Sequence, residues 1–198
     1  NDNCEVTRLV LTNKSSEVKD FQVFSYVEWC LWNADDDSRN FQRNLSTGEV
    51  EVDGSTIYHK TEYRERRNHY AIYSVNAPID GFDTARDSFI GLYNGADTPD
   101  AVTGGACTNS MASGWSPIAS HQLNIKLNPG ESKSFIFVLA YIENPVDDKW
   151  EAPNVVNKKP AKALLSKYQT DADVDKAFAE LNAYWDNLLS KYTVHSSN

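Results

Sequence analysis

The chain has 198 residues, of which 40% are hydrophobic, 12% aromatic and 24% charged, and its formal net charge is −9. This composition is typical of a folded soluble protein, and the length suits one sizeable domain or a domain with an appendage. The acidic balance argues against nucleic acid or an anionic membrane as the main partner, because both require a net basic face. No apolar run approaches the roughly 20 residues that span a bilayer.

Both ends of the sequence suggest cuts through a longer protein. The N-terminal stretch NDNCEVTRLVL has neither an initiator Met nor the basic region and apolar core of a signal peptide, and the C-terminal stretch KYTVHSSN stops directly after a helical pattern. The cysteines at positions 4, 30 and 107 are odd in number and lack metal-type spacing. This cysteine usage favours a reducing, cytoplasmic location.

Residues 1–150 are predicted to form β structure. Asp53-Gly54 lies between two alternating runs and is the strongest hairpin signal in the chain. Because short strands follow one another with frequent turn signals and no helices between them, the pattern predicts a stacked antiparallel sandwich. The predicted strands cover 5–13, 20–32, 49–63 (with the hairpin), 69–76, 88–94, 121–128 and 132–144.

Residues 151–198 are predicted to be mainly helical. A short helix is expected over 157–168, with Pro160 in its first turn, where proline is tolerated. Thr170 and Asp173 predict a capping box for a second helix. That helix carries one apolar stripe over about five turns, which needs a partner surface on the sandwich or in a helical domain beyond residue 198. The stripe consists of Val174, Phe178, Leu181, Trp185, Leu188 and Tyr192.

The stretch WNADDDSRNFQRN, residues 32–44, follows a strongly apolar run and first suggests a metal site. An EF-hand loop starting at Asp35 or Asp37 would need glycine at its sixth position and glutamate at its twelfth, and neither register provides them. A solvated loop, whose aspartates bond backbone amides or nearby arginines, is therefore the better interpretation.

The second half of this stretch favours a sugar site. Asn40, Gln42 and Arg43 offer hydrogen-bond donors and acceptors in planar groups, and sugar hydroxyls both donate and accept. Nearby aspartates could hold the arginines in place by charge-assisted bonds. A surface turn with ion pairs explains the same composition, and both interpretations stay open at this point.

Three other groups of residues receive structural interpretations. The arginine cluster Arg64–Arg67 suits an ion-pair ladder on a sheet face or at a subunit contact better than a nucleic-acid patch. The four histidines show no zinc-type spacing and are predicted to be structural, hydrogen-bonded residues. Ser113-Gly114-Trp115 lacks the pattern of a serine nucleophile and predicts a tight loop that presents an indole. A pair of carboxylates that hydrolyses glycosides is a further alternative, although sequence gives no separation between them.

Several longer stretches carry a family resemblance that covers essentially the whole chain in order. They are FSYVEWCLWNADDDSRNFQRN, EVEVDGSTIYHKTEYRERRNHYAIYSVN, IDGFDTARDSFIGLYNG, SGWSPIASH, and KWEAP followed by VVNKKPAKALLSKY. Together they resemble the cellobiose phosphorylases of glycoside hydrolase family 94, which are inverting glycoside phosphorylases. Met111 stands where valine is expected for this family.

The resemblance implies a fold that is mainly β: an antiparallel β-supersandwich portion followed by two C-terminal linker helices. Residues 1–150 would form the later part of the supersandwich without its first strands. Residues 151–198 would form a helical linker to an α/α-toroid catalytic domain that the chain lacks. Since the proton-donating acid and the phosphate-binding residues of the family belong to the toroid, no catalytic residue, metal site or cofactor is expected here, and inorganic phosphate is a co-substrate.

The resemblance also implies a homodimer in which the sandwich of one subunit reaches the active site of the other. Gln42 and Arg43 would bond hydroxyls of the departing glucose, and Asn33 and Asn40 would shape the entrance. The implied reaction converts cellobiose and phosphate reversibly into α-glucose 1-phosphate and glucose. One carboxylic acid suffices, because phosphate is already an anion and needs no general base.

Other functions remain open on the sequence alone. A free-standing carbohydrate-binding β-sandwich module would bind glucose or cellobiose without a partner. A purely structural dimerisation and linker module would use its Arg/Asp loops only to hold subunits together. Within the phosphorylases, cellodextrins, N,N′-diacetylchitobiose and laminaribiose are alternative substrates.

Overall fold

The computed structural model describes residues 2–29, 48–61, 68–114, 116–192 and 194–196, and within them most residues lie in antiparallel strands. The strands are β1 (Cys4–Thr12), β2 (Lys19–Phe24), β3 (Val27–Glu28), β4 (Gly48–Asp53), β5 (Thr56–Thr61), β6 (His69–Val75), β7 (Gly81–Ala85), β8 (Pro117–Leu127), β9 (Ser132–Glu143), β10 (Trp150–Ala152) and β11 (Val155–Val156). The helices are α1 (Arg86–Ile90), α2 (Asp100–Gly104), α3 (Lys159–Leu165) and α4 (Asp171–Leu189). The mainly β fold with two C-terminal helices, predicted from the sequence, is confirmed.

Two antiparallel sheets form the sandwich. The larger is five-stranded, in the order β1-β9-β6-β5-β4. In the second sheet, β2, β3 and β7 all pair with the long strand β8. The hairpin predicted at Asp53-Gly54 connects β4 to β5, and Gly54 has a φ of 59°, the left-handed conformation that glycine adopts without strain.

The five-stranded sheet is buried on both faces. Its inner face packs on the second sheet, and its outer face packs on α3, the beginning of α4 and the β10–β11 hairpin. Neighbouring residues of β5 therefore belong to different cores: Ile57 lies between the sheets, and Tyr58 lies beneath the helices. Burial on both faces explains why β6, HYAIYSV, shows no simple alternation of apolar and polar residues.

The prediction of a strand over 88–94, with no helices among the strands, is wrong. The chain forms α1 at residues 86–90 and α2 at residues 100–104, and β7 occupies residues that the sequence indicates as a loop. A five-residue helix such as α1 is too short to show a helical period, and its buried pair Phe89 and Ile90 resembles a strand core. The sequence does not indicate β7 as a strand because Asp83 and Thr84 are polar residues, although both are fully buried.

The two helix-start predictions are confirmed. Pro160 lies in the first turn of α3. At the start of α4, the backbone N–H of Asp173 donates to the Thr170 hydroxyl (3.2 Å), and the N–H of Thr170 donates to the Asp173 carboxylate (3.0 Å). This capping box satisfies two backbone N–H groups that the helix itself leaves unpaired.

Only the first residue of the α4 stripe is buried in the sandwich core. Val174 is fully buried, whereas the following stripe residues, Phe178, Leu181, Trp185 and Leu188, are 44–50% exposed. Within the described residues, the sandwich therefore covers the start of the stripe and leaves the rest open. None of the described helices combines the length and apolarity needed to cross a membrane.

Removing the cap of α4 is expected to destabilise the chain modestly. Thr170→Ala deletes the side-chain acceptor for the N–H of Asp173, which typically lowers the free energy of unfolding by about 1 kcal/mol. Urea unfolding followed by circular dichroism measures the change. Ser190→Ala at the exposed far end of α4 is the matched control, and an equal loss in both variants would contradict a specific role of the cap.

Candidate functional site

The predicted sugar-binding residues Asn33, Asn40, Gln42 and Arg43 lie within residues 30–47, outside the described residues. The acidic triplet of the same stretch, the arginine cluster within 62–67 and Trp115 lie outside them as well. Their roles remain predictions. The structure does describe the strand ends on either side of these segments, and those ends define the candidate site.

The strand ends that flank these segments converge at one end of the sandwich. Gly48, which follows residues 30–47, pairs with Thr61, which precedes residues 62–67. The next residue, Glu49, forms an isolated antiparallel bridge with Ser113, two positions before Trp115. The segments that the sequence singles out therefore join the described structure at neighbouring points, although they are far apart in sequence.

Trp29, the last described residue before the 30–47 segment, is stacked on His59 at this end. The ring centroids are 5.4 Å apart with an interplanar angle of 14°, and both side chains are buried. Burial lowers the pKa of His59 to about 4, so the ring is neutral at neutral pH. The prediction that His59 is a hydrogen-bonded residue is wrong, because neither ring nitrogen has a partner in the part of the chain that the structure describes.

A polar cluster attaches β3 to α1 just before Trp29. The Tyr26 hydroxyl donates to Glu28 Oε1 (2.6 Å), and Arg86 Nε donates to the same oxygen (3.2 Å). Burial, with the neighbouring Glu28, raises the pKa of Tyr26. Sequence analysis missed this cluster, because its members are 58 residues apart in the chain and no local pattern indicates their contact.

A buried carboxylate holds the loop that leads to Ser113-Gly114. Asp83 is fully buried and accepts hydrogen bonds from the backbone N–H groups and the hydroxyls of Thr108 and Ser110. The Thr84 hydroxyl donates to the Ser110 carbonyl and accepts from the N–H of Ala112. These bonds fix the loop, and Gly114 beyond it has a φ of 78°, while the predicted presentation of the Trp115 indole lies outside the described residues and stays a prediction.

A second charged cluster lies on the outer face of the same strands. Glu51 bonds both Lys60 Nζ (2.9 Å) and Lys158 Nζ (2.6 Å), and its Oε1 also accepts from the N–H of Val156 (2.9 Å). Lys158 bonds Glu151 of β10 as well. These bonds fasten the β10–β11 hairpin to the sheet. Among the described residues, no group of three or more His, Cys, Asp or Glu side chains is placed to hold a metal ion.

Comparisons with known proteins add a family and several relatives. A family model described as the glycosyl hydrolase 94 supersandwich domain matches residues 1–171. The chain is 29% identical over 204 positions to an N,N′-diacetylchitobiose phosphorylase from Vibrio proteolyticus and 26% identical over 199 positions to one from Vibrio furnissii. Both alignments cover 100% of this chain and 23% of the relative. A solabiose phosphorylase from Paenibacillus borealis is 25% identical over 68% of this chain and 17% of its own length.

Proposed function

The chain belongs to the supersandwich domain family of glycosyl hydrolase 94, and on this basis we propose that it is part of a longer disaccharide phosphorylase. The observation that carries the proposal is the match to phosphorylases along the whole chain, while the chain spans only 23% of the length of the two Vibrio relatives. Residues 1–150 are the sandwich part, and residues 151–198 link it to a separate catalytic toroid. The open part of the α4 stripe supports a contact with that remainder.

The proposed reaction is reversible, inverting phosphorolysis of cellobiose. A phosphate oxygen attacks the anomeric carbon, the glycosidic C–O bond breaks, and an acid in the toroid transfers its proton to the departing oxygen. The products are α-glucose 1-phosphate and glucose. N,N′-diacetylchitobiose is the competing substrate, since two relatives of this chain carry that name. Phosphate is the co-substrate, and no resident cofactor is proposed.

Within this reaction, residues 33–43 supply acceptor-binding groups to the neighbouring subunit of a cytoplasmic homodimer. Gln42 and Arg43 bond hydroxyls of the departing sugar, and Asn33 and Asn40 border the entrance. The convergence of the flanking strand ends supports the assignment, because the strand ends that flank residues 30–47 lie beside those that flank the arginine cluster and Trp115. This chain contributes no catalytic acid.

The acceptor role is tested by Arg43→Ala in the full-length enzyme. Loss of a hydrogen bond from a charged group costs roughly 1.5–3 kcal/mol, so the KM for the acceptor is expected to rise by about tenfold or more. Initial rates are measured in the synthetic direction, with α-glucose 1-phosphate as donor and either glucose or N-acetylglucosamine as acceptor. The better acceptor also distinguishes cellobiose from N,N′-diacetylchitobiose as the substrate.

Arg8→Ala is the matched control for this experiment. Arg8 bonds Asp175 on the helical face of the sandwich, and its removal is expected to leave the acceptor KM unchanged. Unchanged acceptor kinetics in Arg43→Ala would contradict the assignment of Arg43 to acceptor binding. Calorimetric binding of glucose or cellobiose to the 198-residue chain alone would instead favour the carbohydrate-binding module.

A further inference from the structure

His59 lies where the two strand ends that flank residues 30–47 meet. Its ring stacks on Trp29, the last described residue before that segment, and its backbone pairs with Val50, two residues after Gly48. Trp29 and Val50 also belong to one buried cluster with Ala112, which precedes the Ser113 bridge. We propose that His59 is a positioning residue for acceptor binding, because its planar ring sets the distance between these two strand ends.

The chemistry of His59 supports a steric role for the ring. It is 3% exposed and has no hydrogen-bond partner within the described ranges, so burying its two nitrogens costs free energy that an apolar side chain would not. The near-parallel contact with the indole needs a flat ring. Since burial keeps the imidazole neutral at neutral pH, the contact carries no charge that would have to be desolvated.

A displacement of these strand ends would weaken acceptor binding more than it weakens binding of the other substrates. This inference rests on the proposed function, in which the segment between Trp29 and Gly48 supplies Gln42 and Arg43. A misplacement of about 1 Å can change a kinetic constant by one to two orders of magnitude. A residue that served only core stability would instead lower the apparent kcat, through the fraction of folded enzyme, and leave the KM for each substrate unchanged.

The experiment compares His59→Leu with His59→Phe in the full-length enzyme. Both variants remove the ring nitrogens and keep an apolar side chain, but only phenylalanine keeps a planar ring over Trp29. His59→Leu is expected to raise the acceptor KM by about tenfold, with the KM for α-glucose 1-phosphate changed by less than about twofold. His59→Phe is expected to restore the acceptor KM to within about threefold of the parent value.

Leu123→Ala is the control for a general loss of core packing. Leu123 is buried between the same two sheets, in a different cluster from Trp29 and Val50, and its truncation should lower the thermal midpoint without a selective change in the acceptor KM. If His59→Leu does not fold, His59→Gln, which keeps polarity and approximate size without a ring, replaces it and is expected to show the same acceptor defect.

Two outcomes overturn the positioning role while the proposed function stands. One is an unchanged acceptor KM in His59→Leu beside a raised acceptor KM in Arg43→Ala. The other is an equal defect in His59→Phe and His59→Leu, which would show that the planar ring is not what matters. Unchanged acceptor kinetics in both Arg43→Ala and His59→Leu would overturn the acceptor assignment together with the inference built on it.

Discussion

Replacing Glu51 with glutamine is expected to lower the free energy of unfolding by about 3–5 kcal/mol, because it leaves buried ammonium groups without their nearest carboxylate. The side chains of Lys60 and Lys158 are only 4% and 9% exposed, and Glu51 bonds both of them. Although burial acts to raise the pKa of Glu51, the bonds from Lys158, Val156 and Lys60 hold it below its ordinary value, so the carboxylate is charged at neutral pH. Glutamine keeps the shape of the side chain, removes the charge and replaces one acceptor oxygen with an NH2 donor, so at least one of the N–H donors around Glu51 loses its acceptor.

Glu49→Gln is the matched control for this prediction. Glu49 bonds the same Lys60 Nζ at 3.1 Å, but its side chain is 62% exposed. Exposed ion pairs contribute about 0–1 kcal/mol, so the control should shift the urea midpoint only slightly, with no change in the slope of the transition. Similar losses in the two variants would show that burial does not decide the strength of this network.

The parts of the fold that the sequence predicts well are those with a local physical cause. The hairpin at Asp53-Gly54 needs a residue that tolerates positive φ, and the capping box of α4 needs only Thr170 and Asp173, three positions apart. Both signals are complete within a few residues. The same locality explains the error over 88–94, since one turn of helix with two buried side chains carries too little pattern to be told from a strand.

The sequence predicts a chemistry for the candidate site but not its arrangement. The planar polar groups of residues 33–43 are visible in the sequence and indicate sugar binding, although the structure does not describe them. The stack of Trp29 on His59 and the bond between Arg86 and Glu28 join residues 30 and 58 positions apart. Such contacts depend on strand order and register, which no single-sequence pattern specifies.

The α4 stripe shows how a correct local prediction can leave its partner undetermined. The spacing of its apolar residues gives the helix and its apolar face, but either the sandwich or a further domain could cover that face. The structure assigns Val174 to the sandwich core and leaves Phe178 and Trp185 about half exposed. Half-exposed large apolar side chains in a row are typical of an interaction surface, which agrees with the proposed contact to a longer polypeptide.

Acidification from pH 6.5 to 4 is expected to remove up to about 3 kcal/mol of stability for each of His59 and His121. Burial lowers the pKa of both side chains from 6.5 to about 4. Within this window the unfolded chain binds protons that the folded chain does not, so the free energy of unfolding falls as the pH falls. The contribution is fully present above pH 6.5 and is lost once the pH reaches 4.

The free energy of unfolding is measured in urea at several pH values between 6.5 and 5. This window lies above 4.5, the ordinary pKa of Glu51. The parent slope should be up to about 1.4 kcal/mol per pH unit for each histidine. His59→Phe and His121→Phe each keep a ring in place of the one that stacks on Trp29 or Tyr73, and each should halve the slope. The double variant should reduce it to near zero, since both imidazoles whose pKa burial lowers are then absent; an undiminished slope would assign the pH dependence to other groups.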